Sequence, residues 1–268
     1  MGFRRGMACL MALLLCMLAL QPAQAKTFLL TEEKQTDGER VLRGFDEEAG
    51  AKFNGYDGYQ FLYFGRYPYT ETGEVGPVLW KVLGIEDGYA LIWSNHAIDF
   101  AQYNAERIAI ETWKENTIYH TLNEQFREAM FTDEELQAVR YSEDLGWLFY
   151  LTDFHLRKTY YGFRHWKAKP QKARECYPTP YALMLHNSDP DKYQMFEGRV
   201  PYFGTDIPRK GCRSLIGFDG HTSVSAVDRF LGVRPACYVD ITMLDHVTGS
   251  GTFEDPFVFD VVQPGAAE

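Results

Sequence analysis

The sequence predicts an α+β domain of small antiparallel sheets, and three observations carry that expectation. Short aromatic and β-branched runs, separated by turn residues, lie towards both ends of the chain. One long helical periodicity lies between them, at positions 112–131. Strands and helices do not alternate as a βαβ chain requires, so the helices are expected to segregate from the hairpins.

The first 25 residues precede that domain. Arg4 and Arg5 form a short positive region, Cys9 to Leu20 is almost unbroken apolar sequence, and Ala23-Gln24-Ala25 is a small-x-small site. The apolar run falls short of the roughly 20 residues that span a bilayer. It therefore reads as a secretory signal peptide ending at Ala25. Lipid attachment at Cys16 is the competing reading, and the bulky Leu13, Leu14 and Leu15 before it make a poor lipobox. Residues 26–57 are acidic and weakly periodic, a lead segment before a single domain over 58–262.

Tyr59 to Gly65 reads as a strand that Pro68 ends. Val78 to Ile85 and Tyr89 to Ser94 read as a hairpin around Glu86-Asp87-Gly88. From Thr112 to Phe131, Ile118, Leu122, Phe126 and Met130 make one apolar stripe. Thr132 with Glu135 matches a capping box, so a second helix should run from Asp133 to Tyr141. Trp147 to Leu151 is expected as a buried strand, Thr152-Asp153 as the cap of a short helix, and Arg164 to Pro180 as loop. Pro180 to His186 fits a helical turn or two. Arg213 to Val227 forms a hairpin around Phe218-Asp219-Gly220, and Val233 to Ile241 one strand with an early proline. A Gly-rich turn at 248–252 then feeds a last short strand.

The formal charge is −10, and about −12 once Arg4 and Arg5 leave with the leader. Nucleic acid and anionic membrane both require positive surface, so neither is an expected partner. Aromatic residues make up 15% of the chain, enough to supply both a core and recognition surfaces.

Several segments in order resemble a bacterial secreted domain of unknown function, family 6273. They are Phe64–Tyr69 (FGRYPY), Gly76–Leu83 (GPVLWKVL), Ala90–Ser94 (ALIWS), Phe131–Glu135 (FTDEE), Trp147–Thr152 (WLFYLT) and Gly232–Asp240 (GVRPACYVD). The resemblance covers roughly Tyr59 to Asp240. That family is similar to the C-type-lectin-like fold shared with formylglycine-generating enzymes. The resemblance therefore implies small twisted sheets, two helices and a long loop-rich region. Where the family carries a W-x-R-[ST]-P segment, this chain has Tyr202-Phe203-Gly204-Thr205-Asp206-Ile207-Pro208, without the Trp and the Arg. By analogy with relatives of that fold, contact residues should lie between Tyr193 and His221: Tyr202, Phe203, Asp206, Arg209, Arg213, Asp219 and His221.

Three cysteines follow the leader. Outside the cytoplasm a pair of thiols oxidises, and Cys212 and Cys237, on strands expected to be neighbours, are the expected disulfide, with Cys176 reduced. A copper dithiolate at the same two residues, or a Cys176 nucleophile with a distant His, is the enzymatic alternative. The 25-residue spacing of Cys212 and Cys237 does not match a close copper pair. The seven histidines show no metal spacing, Asp189, Asp191 and Asp219 sit in no calcium loop, and Gly249-Ser250-Gly251-Thr252 lacks the Lys and helix of a phosphate loop. No catalytic residue, metal or cofactor is assigned.

The expected function is a secreted, non-catalytic module that binds an extracytoplasmic glycan, peptide or protein. An oxidase or hydrolase using cysteine chemistry, and an envelope accessory protein whose acidic lead segment meets a partner, are the alternatives. Cleavage is predicted after Ala25, so N-terminal sequencing of secreted material should read Lys-Thr-Phe. A lipid-modified Cys16 at the new terminus would refute it.

Overall fold

The computed structural model describes residues 58–262, apart from 109, 111, 157, 159–160, 164–170 and 205–211. The leader and the acidic lead segment lie outside the described residues.

The chain is a mixed α+β fold whose centre is a four-stranded antiparallel sheet in the order β1-β2-β3-β11. Strands β1 (Gln60–Pro68), β2 (Val75–Glu86) and β3 (Tyr89–Ser94) follow one another directly, and β11 (Ala236–Asp240) returns to pair with β3. The β2–β3 turn places Asp87 and Gly88 at φ of 52° and 79°, the left-handed pair that a two-residue hairpin demands. Both faces of this sheet are buried. Trp80, Val82, Ile92, Cys237 and Val239 face one apolar core, and Phe61, Leu83, Leu91, Trp93 and Ala236 face the other.

The first core is closed by a helix in three consecutive pieces, α1 (Thr117–His120), a π-helical stretch (Thr121–Phe126) and α2 (Arg127–Met130). Ile118, Leu122, Phe126 and Met130 are buried against the sheet, as the four-residue spacing predicts. The expected capping box is present at α3 (Asp133–Ala138), with Thr132 and Glu135 bonded reciprocally.

Trp147 to Leu151 is not a strand. The Asn123 side chain, projecting from the π-helical stretch, accepts from the backbone N–H groups of Trp147 (2.7 Å) and Leu148 (3.1 Å) and donates to the Leu148 carbonyl (3.0 Å). One amide thus takes the place of a neighbouring strand, and only Phe149 forms a bridge, to Ala236. A short helix α4 (Asp153–Leu156) follows, and α5 (Pro180–Ser188) starts at a Thr179 cap with proline in its first turn.

A second sheet has the order β5-β10-β7-β8-β9, from β5 (Asp99–Gln102), β7 (Tyr202–Phe203), β8 (Cys212–Ile216), β9 (Thr222–Ala226) and β10 (Phe230–Val233). The expected strand from Val233 to Ile241 is therefore two strands in two sheets. Pro235 has no N–H to continue a ladder, and the chain crosses at Arg234-Pro235 from β10 to β11. Two-stranded pairs complete the fold: β4 (His96–Ala97) with β6 (Tyr177–Pro178), and β12 (Leu244–Thr248) with β13 (Val258–Val261). No helix among the described residues is long and apolar enough to cross a membrane.

Phe126→Ala should destabilise the domain by about 3–5 kcal/mol. Glu124→Ala, at an exposed site on the same helix, should change stability by less than about 0.5 kcal/mol. Urea denaturation of both variants tests this, and equal losses would mean that the helix face is misassigned.

Candidate functional site

Of the expected contact residues, Tyr202 and Phe203 are core residues and not surface. Strand β7 lies inside the second sheet, bonded to β10 on one side and β8 on the other. Its two side chains alternate into the two cores, at 2% and 1% exposure. The Tyr202 hydroxyl donates to the Arg174 carbonyl at 2.7 Å. Asp206 and Arg209 lie outside the described residues, as does the side chain of Arg213, which stands on β8 opposite Ser225.

Asp219 and His221 do come together, in the β8–β9 turn. The Gly217 N–H donates to the His221 carbonyl at 2.8 Å, and the Asp219 carboxylate accepts the His221 backbone N–H at 3.1 Å and also bonds the His221 Nδ1. Partial burial pushes the Asp219 carboxyl up, but the His221 hydrogen bonds outweigh it and hold the group below the usual carboxylate range. The turn is seated on the preceding loop, where Gln171 N–H donates to the Asp219 carbonyl at 2.9 Å. Gly220 is required there, because a Cβ would stand 2.2 Å from the Gln171 carbonyl oxygen.

A second loop completes this patch. Phe196 and Arg199 exchange backbone hydrogen bonds of 2.9 and 3.0 Å around Glu197 (φ 50°) and Gly198 (φ 76°), a tight two-residue turn. It presents Phe196, 53% exposed, with its ring 4.4 Å from that of Phe218. Arg199 pairs with Glu175 at 3.6 Å, tying this loop to the segment that also seats the hairpin turn. Phe196 was missed at the sequence level. The Glu-Gly dipeptide after it was the available turn signal.

Beneath the patch lies a buried polar centre. The Arg234 guanidinium is fully buried and stands over the Trp93 ring, its Cζ 3.4 Å from the centroid. Its Nε donates to the Ser94 carbonyl (2.9 Å), and Nη1 to the carbonyls of Arg174 (3.1 Å) and Glu175 (3.2 Å) and to the Tyr202 hydroxyl (3.1 Å). Arg174 is buried beside it and donates to the Leu156 carbonyl at 2.8 Å. Lys81, buried in mid-β2, is held well below the usual lysine range by burial and then by the Arg234 charge.

Cys212 and Cys237 lie on β8 and β11, strands of different sheets, so the neighbouring-strand argument for a bridge fails. The Cys212 side chain lies outside the described part of the structure, and Cys176 and Cys237 are free, buried thiols. Burial pushes both upwards, which for Cys176 outweighs the nearby Arg234 and Lys81 charges. No group of three or more potential metal ligands exists among the described residues.

A third region lies at the far end of the β1–β2 hairpin. Tyr67, Pro68, Tyr69, Pro77, His96 and Thr179 line a small depression that opens to solvent. The Tyr67 hydroxyl donates to Asp99 at 2.7 Å, and burial raises the Asp99 carboxyl despite this bond.

Comparison with family models, with curated proteins and with solved structures finds no match.

Two histidines give the domain a pH dependence. Burial holds His96 and His155 down to about 4, with the charges of Arg234 and Lys81 adding to the effect at His96. An unfolded histidine titrates near 6.5, so between about 6.5 and 4 the unfolded chain binds more protons than the folded one. Stability should therefore fall as pH drops through that window. Asp99, shifted upwards, acts in the opposite sense as it gains its proton. Urea midpoints at pH 7, 6 and 5 should decline, and less steeply in His155→Gln. A constant midpoint over that range would refute the assignment.

Proposed function

We propose that the chain is an exported recognition module that binds an extracytoplasmic glycan, peptide or protein through Phe196, Phe218, Asp219 and His221. One observation carries this reading. Two loops distant in sequence bring an exposed aromatic ring onto a second one beside a half-buried carboxylate–imidazole pair. Aromatic rings give contact area at small entropic cost, and the charged pair gives directional hydrogen bonds. The turns that hold them are tied to the core by backbone bonds and the Arg199–Glu175 pair, so little ordering is left to do on binding. The signal-peptide-like leader and the segments resembling the secreted family support an extracytoplasmic setting. The small antiparallel sheets with few helices are compatible with a C-type-lectin-like fold.

Glycan and peptide arrays probed with the secreted protein test the proposal. Binding is expected on one array, weakened about tenfold or more by Phe196→Ala and by Asp219→Ala, while circular dichroism stays unchanged. Absence of binding on both arrays, or equal binding by both variants, would overturn it.

A further inference from the structure

The second sheet leaves its β9 edge bare, while the other outer edges of the two larger sheets are attended. Phe61 in β1 bonds Gly251 and Phe257 through its backbone, and Ala236 and Tyr238 in β11 bond Phe149 and Arg140. Helix α5 packs beside β5. Strand β9 lies beyond β8, in a register that runs from Ile216–Thr222 to Cys212–Ala226 without a bulge. The Gly217 N–H donates to the His221 carbonyl at 2.8 Å, and this sets the phase of the ladder. Residues 221, 223 and 225 turn their backbone groups to β8, and residues 222, 224 and 226 turn theirs outward. The Ala226 carbonyl accepts the Arg229 N–H at 3.3 Å. The outward N–H and C=O of Val224 meet no partner among the described residues, and the Val224 side chain is 61% exposed. Edge strands are ordinarily blunted by a charge, a proline or a bulge. Strand β9 reads Thr-Ser-Val-Ser-Ala and has none of them.

The bare edge is continuous with the recognition patch, because Phe218, Asp219 and His221 stand in the turn that leads into Thr222. It offers a backbone donor and acceptor at strand spacing, which an extended peptide matches and a glycan does not. A second copy of this chain would bring the same net charge of −10 to the edge, which opposes self-pairing. A peptide bearing lysine or arginine meets the Asp219 carboxylate at the turn with the opposite sign. We propose that β9 is the docking edge for an extended, basic peptide segment of a partner protein, which joins the sheet beside Val224 and runs to the Phe196–His221 patch. The proposal rests on the recognition reading and narrows its ligand to peptide. A β-branched side chain on the incoming strand gains contact with the exposed Val224.

The test uses the full chain and the probe acetyl-Lys-Thr-Val-Thr-Val-Thr-amide, with a form N-methylated at every interior residue as control. The probe should bind saturably and slow hydrogen exchange at the Val224 amide by about tenfold or more, the mark of a new backbone bond. The N-methylated form, which has lost its backbone donors, should do neither. Val224→Pro removes the outward N–H at an edge position where proline is tolerated, so circular dichroism should stay unchanged while affinity falls about tenfold or more. No saturable binding, no protection of Val224, equal binding of the N-methylated form, or unchanged affinity in a folded Val224→Pro would overturn the proposal. If Val224→Pro does not fold, protection of Val224 in the native chain and the N-methylated control decide it. Light scattering without peptide that shows a dimer abolished by Val224→Pro would give the edge to a second copy and also overturn it. Phe196→Ala separates the two readings. Unchanged affinity there with Val224 still protected refutes the patch and keeps the edge, and Phe196-dependent binding without protection of Val224 does the reverse.

Discussion

The structure depends on one permanently charged group in a dry interior. Arg234 cannot lose its proton, so its burial has to be met by acceptors, and no carboxylate among the described residues supplies them. Carbonyls from the end of β3 and from residues 174–175, with the Tyr202 hydroxyl and the Trp93 ring, do so instead. Each of these groups belongs to a different part of the chain. The guanidinium therefore fixes, from a single point, how the four-stranded sheet, the second sheet and the loop before α5 meet. Its position at the crossover between β10 and β11 is what gives it that reach. The same charge adds to burial in holding Lys81 and His96 below their usual ranges.

The recognition patch is linked to that point by short steps. Residues 171–175 are held from below by Arg234 and carry the hairpin turn from above, through Gln171 and the close seat of Gly220. Glu175 reaches to Arg199 and so holds the Phe196 turn. Both loops of the patch are thus mounted on one short segment whose carbonyls are occupied in the core. A binding surface on loops gains precision only when such a support exists.

What was legible in the sequence is what local chemistry decides. Asp-Gly turns marked both hairpins, the four-residue apolar spacing marked the helix face, and Thr132 with Glu135 marked a cap, since each signal needs only neighbours in the chain. Long-range pairing decided the rest. Trp147 to Leu151 has a strand's composition, yet Asn123, 24 residues away, supplies the partner that a strand would have. Tyr202 and Phe203 look like exposed loop aromatics until β10 and β8 enclose them. Asp99 is unremarkable in sequence, and its hydrogen bond comes from Tyr67, 32 positions earlier. Arg234 sat inside a segment read as one strand, where nothing distinguishes a crossing from a continuation except the proline after it.

The pairing of β11 with β3 also imposes an order of events on folding. Strand β3 is complete by residue 94, but its second edge is covered only by residues 236–240, and the Arg234–Ser94 bond spans 140 positions. Closing so long a loop is entropically costly before any contact rewards it, and chains dominated by such pairings fold slowly. Until the late strand arrives, the central sheet has an open edge carrying Ile92 and Trp93, a template on which another chain could pair. An emerging chain is thus most vulnerable to aggregation through the middle of its synthesis, and the arrival of one five-residue strand ends that exposure.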